Sequence, residues 1–238
     1  MRKLLGIVLV ALATVVAGPG QAADFPDYPP VEVPDVDYDL GGSFYLRGSA
    51  ALNAAWAQTV VYNTCVAPCG GVVTLTNPVV AWGYGYSIGA GFGYETGDGL
   101  RADVTLDYLV NNGMSDGTYT LSLRSTIALA NAYYDFNLGD GPLGAYVGAG
   151  MGVAYNMVAA TGVPAPGPAG NTWAAVGALM AGVTYDMGDW VADAGYRLIY
   201  MPEISNGQVG IVAPALSPFY VNNTTIHELR GTLRYRFN

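Results

Sequence analysis

Residues 227–237 read His-Glu-Leu-Arg-Gly-Thr-Leu-Arg-Tyr-Arg-Phe. Taken in twos, Leu229, Gly231, Leu233, Tyr235 and Phe237 form one face, and Glu228, Arg230, Thr232, Arg234 and Arg236 form the other. A period of two belongs to a strand, not a helix. An aromatic, apolar face alternating with an unbroken charged one fits a wall with lipid on one side and a polar barrel interior on the other. That reading requires matching strands from the rest of the chain.

The composition is compatible with it. Among 238 residues there are 33 Gly and 18 Tyr, with 52% hydrophobic but only 11% charged residues. A transmembrane barrel has this balance because its apolar positions alternate with polar ones, which dilutes the membrane signal in each segment. The chain opens on a different pattern. Arg2 and Lys3 precede an apolar run from Leu4 to Val16, and Gly20, Gln21 and Ala22 supply a small-residue cleavage point. Residues 1–22 therefore read as a cleaved signal peptide, since the run is too short for a membrane anchor. Its removal leaves seven basic residues, all arginine, against 18 acidic ones. Residues 23–42 are rich in Pro and acid and read as an extended, solvated periplasmic lead-in.

The alternation then repeats through 43–238. Phe44, Leu46, Ala50 and Leu52 oppose Tyr45, Arg47, Ser49 and Asn53. From Val80 to Tyr94, aromatic and apolar residues alternate with glycines that leave room in a narrow lumen. Leu100, Val104, Leu106 and Tyr108 alternate with Arg101, Asp103, Thr105 and Asp107. A fourth strand, about Tyr119 to Phe136, is expected to turn Leu121, Leu123, Ile127 and Leu129 outward and Arg124 inward. A fifth follows near 143–153, a weakly patterned sixth near 172–185, and a seventh carries Asp193, Gly195 and Arg197 inward. With the closing segment this makes eight strands. Connections near 96–99, 138–141 and 187–189 are short, whereas those near 57–79, 110–118, 156–171 and 202–219 are longer, as in an up-and-down outer-membrane barrel. A rival helix over 142–185 would place glycine, a poor helix former, throughout its interior.

On the closing pattern from Glu228 to Phe237, on Tyr146 to Gly152 and on Asp193 to Arg197, residues 43–237 resemble the opacity-protein and OmpA-like superfamily of eight-stranded outer-membrane barrels, the small surface antigens of Gram-negative bacteria. The resemblance implies an all-β, transmembrane, antiparallel barrel in the bacterial outer membrane. It also implies that Gly231, Leu233, Tyr235 and Phe237 belong to the signal read by the barrel-insertion machinery. Members of the family include structural proteins, adhesins, narrow pores and a few lipid-modifying enzymes.

Candidate chemistry is sparse. His227 is the single histidine, expected outward near the outer interface, with Glu228 pointing the other way. This argues against a hydrolase site, which needs an acid and a nucleophile on the same face. Cys65 and Cys69 fall in the first long connection, where export favours a small disulfide-closed loop over a thiol metal site. The glycine runs lack a following helix to cradle phosphate, and neither a cofactor nor a nucleic-acid partner is expected. The charges carry more information. Arg47, Arg101, Arg124, Arg197, Arg230, Arg234 and Arg236 all fall on the proposed interior face, with Asp103, Asp107, Asp193 and Glu228. A salt-bridged plug is expected there, in a non-enzymatic structural protein that touches outer-membrane lipid and lipopolysaccharide and offers its loops to an external ligand. The alternatives are a small anion-leaning pore, from a surplus of three positive charges, and more remotely an acyl hydrolase acting on envelope lipid.

Overall fold

The computed structural model describes residues 41–65, 72–162, 167–208 and 218–237. The expected signal peptide, all but the end of the lead-in, Cys69 and the side chain of Cys65 lie outside the described residues, and so does the expected disulfide. Ten strands follow in order: β1 (Ser43–Trp56), β2 (Thr59–Cys65), β3 (Val72–Pro78), β4 (Gly83–Glu95), β5 (Leu100–Ser115), β6 (Tyr119–Asn137), β7 (Leu143–Gly162), β8 (Gly170–Asp186), β9 (Trp190–Ser205) and β10 (Phe219–Phe237). Eight of them, β1 and β4 to β10, form an antiparallel ring. It closes where β10 pairs with β1 from Thr225↔Trp56 to Phe237↔Phe44. Closure satisfies every ladder within the wall, which a sheet in hydrocarbon requires because no water is present to bond a free edge.

The outward faces are apolar. Leu52, Ile88, Val104, Leu106, Met151 and Leu179 are each more than half exposed, although their chain neighbours are buried or half-buried. So continuous an apolar surface belongs in lipid. Aromatic clusters mark its two rims. Phe44 with Tyr94 (4.9 Å between centroids) and Trp190 with Tyr235 (4.9 Å) lie at the short-turn end, and Tyr155 with Trp173 (5.1 Å) and Trp56 with Trp82 (6.4 Å) lie at the other. The turn after β8 is tight because Gly188 adopts φ +90° and its N–H donates to the Asp186 carboxylate at 2.8 Å.

The structure departs from the sequence expectations at four places. The stretch 57–79 is not a plain loop: β2 continues β1 along β10, and β3 folds back on β2 as a hairpin. The connection placed at 110–118 shrinks to residues 116–118, because β5 and β6 run past the bilayer. The ring strands have 13 to 20 residues, and about 9 to 11 suffice to cross. The connection expected at 156–171 is likewise cut back, because β7 runs on to Gly162 and β8 begins at Gly170, and the glycine-rich segment 142–185 is strand, as expected.

The fourth departure is the face of β6. Leu121, Leu123, Ile127 and Leu129 point inward, at 5% exposure or less, and Arg124 points outward. The opposite face of β6 carries Ala128, Ala130 and Ala132, so both faces are apolar, and alternation alone does not say which is inside. The leucines fill the half of the lumen nearer the long connections. There they pack with Leu109, Ile199, Met201, Phe219 and Ile226.

Two outcomes are expected. Ile88, outward between the aromatic rims on β4, should cost about 2 to 4 kcal/mol when replaced by Arg, whereas Thr76→Arg on the exposed β3 should cost little. A lipid-refolding titration that tolerates both equally would overturn the assigned faces. In the β5–β6 turn, Asp116 accepts the N–H groups of Tyr119 (2.7 Å) and Thr118 (2.9 Å) and the Asn77 amide (3.0 Å). Burial pushes its carboxyl up, but these donors outweigh burial and hold it below the usual value. A lowered folded value means that the turn's stabilisation is complete above the ordinary Asp range and is lost as pH falls through that lowered value. The amide protons of Thr118 and Tyr119 should therefore shift together below about pH 4 in an NMR titration. Asp116→Asn should abolish the shift.

Candidate functional site

The lumen is narrow, so what enters it depends on what the wall omits. On β4, Gly89, Gly91 and Gly93 pair with Asp107, Thr105 and Asp103 of β5. A Cβ at Gly89 would collide with the Asp107 carboxylate, and one at Gly93 would collide with Asp103 and with Tyr45. On β7, Gly148 and Gly150 make the same allowance for Tyr133 and Asn131 of β6. The glycine faces thus leave volume for charged and aromatic side chains from the strands beside them.

That volume holds a layered ion-pair network. Nearest the short turns, Arg236 meets Asp186 (2.6 Å) and Glu95, and Arg234 grips Asp193 through Nε (3.0 Å) and Nη2 (3.1 Å) and reaches Glu95 (3.1 Å). Arg101 makes a two-pronged contact with Asp135 (2.8 and 3.0 Å) and lies over the Tyr133 ring, 4.1 Å from its centroid. One layer deeper, Asp103 accepts from Arg47 (2.7 Å), from the Tyr45 hydroxyl (2.9 Å) and from the Asn131 amide (2.7 Å). Deepest is a closed square. Asp107 takes Arg197 (2.7 Å) and Arg230 (2.8 Å), and Glu228 takes the same two arginines at 2.6 and 3.0 Å plus the Ser87 hydroxyl at 2.7 Å. Beyond it, Asn111 donates to Asn53 (2.8 Å), Ser125 donates to Asn156 (2.6 Å), and the apolar half begins.

Of the eleven residues assigned to the interior network from sequence, ten lie in it, and Arg124 stands on the lipid side. Three carboxylates escaped the sequence reading: Glu95, Asp135 and Asp186. Asp135 shares the parity of Leu129, so the reversed face of β6 both hid it and admitted Arg124. Glu95 and Asp186 share the parity of Gly93 and Thr184 and extend those faces past the predicted strand ends. Among the described residues the bridges therefore join six arginines to seven carboxylates, and the expected positive surplus is replaced by a net charge of minus one.

Free space falls steeply along this axis. Hollows of about 470 and 380 Å³ open at the short-turn mouth, both bordered by Asp135 and Arg236. The cavity among Arg47, Arg101, Tyr133, Tyr146, Arg197 and Arg230 is about 10 Å³, room for roughly one water. His227 takes no part in the network. It faces outward, with the Tyr196 hydroxyl 2.5 Å from Nδ1 and the Trp82 ring 5.4 Å away between centroids, whereas Glu228 is committed to the interior square. Gly231, Leu233, Tyr235 and Phe237 are exposed on the outward face of β10.

The two carboxylates Asp107 and Asp186 provide a contrast. Asp107 is buried between two buried guanidinium groups, so Asp107→Ala should cost about 3 to 5 kcal/mol by orphaning them. Asp186, whose side chain is 41% exposed, should cost about 0 to 1 kcal/mol when replaced by Ala. Chemical unfolding of both variants in the same detergent measures the difference.

No family model matches the chain. It is similar to an uncharacterized protein of Brucella abortus strain 2308, 30% identical over 280 aligned residues that cover 98% of each chain, and to a Brucella suis protein at the same identity and coverage. Among solved structures it is similar to Neisserial surface protein A, with a TM-score of 0.50 and 22% identity, covering 83% of this chain and 99% of that one. It is also similar to the outer membrane protein OprG of Pseudomonas aeruginosa, with a TM-score of 0.47 and 12% identity, covering 82% and 97%.

Proposed function

The chain belongs to the family of these Brucella proteins and folds as a closed eight-stranded antiparallel β-barrel, and from that premise we propose an outer-membrane barrel of the OmpA-like and opacity kind, a structural, surface-exposed protein whose lumen does not conduct. The observation that carries this reading is the narrowing of the lumen to about 10 Å³ within a network whose arginines all have carboxylate partners. A hydrated ion does not fit such a space. The apolar plug beyond it, built on the inward leucines of β6, adds a second barrier of a kind that ions cross poorly.

The apolar belt supports a place in a bilayer, and the fold supports the bacterial outer membrane as that bilayer. The short turns then face the periplasm, and the β2–β3 hairpin, the β5–β6 turn and the far ends of β7 to β10 face outside. The outward residues Gly231, Leu233, Tyr235 and Phe237 are the part offered to the barrel-insertion machinery. The protein's partners are outer-membrane lipid, lipopolysaccharide and an external ligand of the exposed connections. A pore selecting anions loses its basis with the positive surplus. The pairing of His227 with a tyrosine and a tryptophan gives the histidine the place of an interfacial anchor and not of a base.

Planar-bilayer recording and thermal unfolding on the same preparations test this. The wild type should be silent, and Asp103→Ala and Asp193→Ala should each lower stability markedly, because the buried guanidinium groups of Arg47 and Arg234 lose their nearest carboxylates. Steady current in the wild type, or unchanged stability with anion current in the two variants, would replace the plug with a wet pore.

A further inference from the structure

Arg124 is the one arginine of the barrel that turns its back on the interior network. It lies on the outward face of β6, exposed, and no partner is recorded for it among the described residues. Its depth is set by the register. Thr126, one outward step toward the membrane centre, is flanked across both ladders by Tyr108 of β5 and Tyr155 of β7. Arg124 itself sits between Val110 and Met157, and the next row outward holds Asn112 and Ser122. From Tyr134 in the opposite aromatic rim to Arg124 is ten residues of one strand, about 25 Å of depth at roughly 3.3 Å per residue and a tilt near 40°. The apolar band of such barrels is about 25 Å tall. The guanidinium therefore emerges just past the tyrosine row, at headgroup level on the outer side, with an amide and hydroxyls above it.

We propose that Arg124 is a docking point for a phosphate group on the headgroup of an outer-leaflet lipid, a deeper reading that rests on the membrane orientation given above. A bare cation at this level needs an anion. The described outward surface supplies no carboxylate in its own or the adjacent rows, which hold Val110 and Met157, Asn112, Ser122 and Ala159, and Tyr108, Thr126 and Tyr155. The planar fork of Arg suits a phosphate, accepting geometry that a compact ammonium does not match. Tyr108 and Tyr155 below it fix the depth at which the headgroup meets the wall.

The test uses the refolded full barrel with two probes, a bis-phosphorylated glycolipid of the lipid A type and its dephosphorylated form, with lipid retention read by native mass spectrometry. The wild type should retain the phosphorylated lipid about tenfold better, the order of one charge-assisted contact. Arg124→Gln should lose that preference, and Arg124→Lys should recover part of it. Equal retention of the two lipids by the wild type, or an undiminished preference in Arg124→Gln, overturns the proposal. Competition by millimolar inorganic phosphate as effective as by the lipid would mean an ion site and not a lipid site, and would overturn it too. A barrel that fails to fold with Gln at this position would contradict an unpartnered outward side chain, with the same result. Protease protection in vesicles separates the two readings: a barrel that does not insert defeats the orientation, and one that inserts without lipid preference defeats only the docking point.

Discussion

Asp107 can hold Arg197 and Arg230 at once because residue 89, across the β4–β5 ladder, has no side chain. The lumen of an eight-stranded ring is barely wide enough for side chains to fill. Every bulky inward group therefore needs a vacancy beside it, and β4 and β7 provide vacancies as runs of glycine. The arrangement of the charges, the stacking of Arg101 on Tyr133 and the sealing of the axis all follow from where those glycines stand.

The filled lumen has two chemically distinct halves. Toward the short turns it is ionic, and toward the long connections it is apolar. Buried ion pairs contribute little net stability over apolar residues of the same volume, because desolvation offsets most of their attraction. What they add is specificity: a guanidinium shared between Asp107 and Glu228 ties β5 to β9 and β10 in one register, since a one-residue slip of any of these strands would turn its own charges to lipid and orphan their partners inside. The apolar half has no such register demand, and it begins inside the bilayer span at Leu129 and Ile127 and continues toward the long connections.

On the outside, the wall is read by lipid and not by other side chains. Aromatic rims, the Tyr196–His227–Trp82 cluster and Arg124 all lie at the levels where hydrocarbon gives way to headgroups. The same chain thus uses arginine in two opposite ways. Six are neutralised by carboxylates inside, and one is left to meet whatever anion the membrane surface carries.

Alternation in the sequence determined the closed all-β architecture, eight ring strands, the short turns, the inward arginines of β1, β5, β9 and β10 and the outward position of His227. A charged face opposite an aromatic one has only one tolerable orientation in a membrane. Where both faces are apolar, as on β6, that constraint vanishes: Leu121 to Leu129 could have met lipid or lumen, and the parity of Arg124 and Asp135 went with them. The β2–β3 hairpin was hidden for a related reason, since its uncharged Val and Thr residues resemble a loop until β10 extends far enough to pair with them. Period is a property of the chain, but which face turns inward depends on the volume left by neighbouring strands, and only the tertiary structure decided that, because the glycines that create the volume lie on β4 and β7, next to other strands.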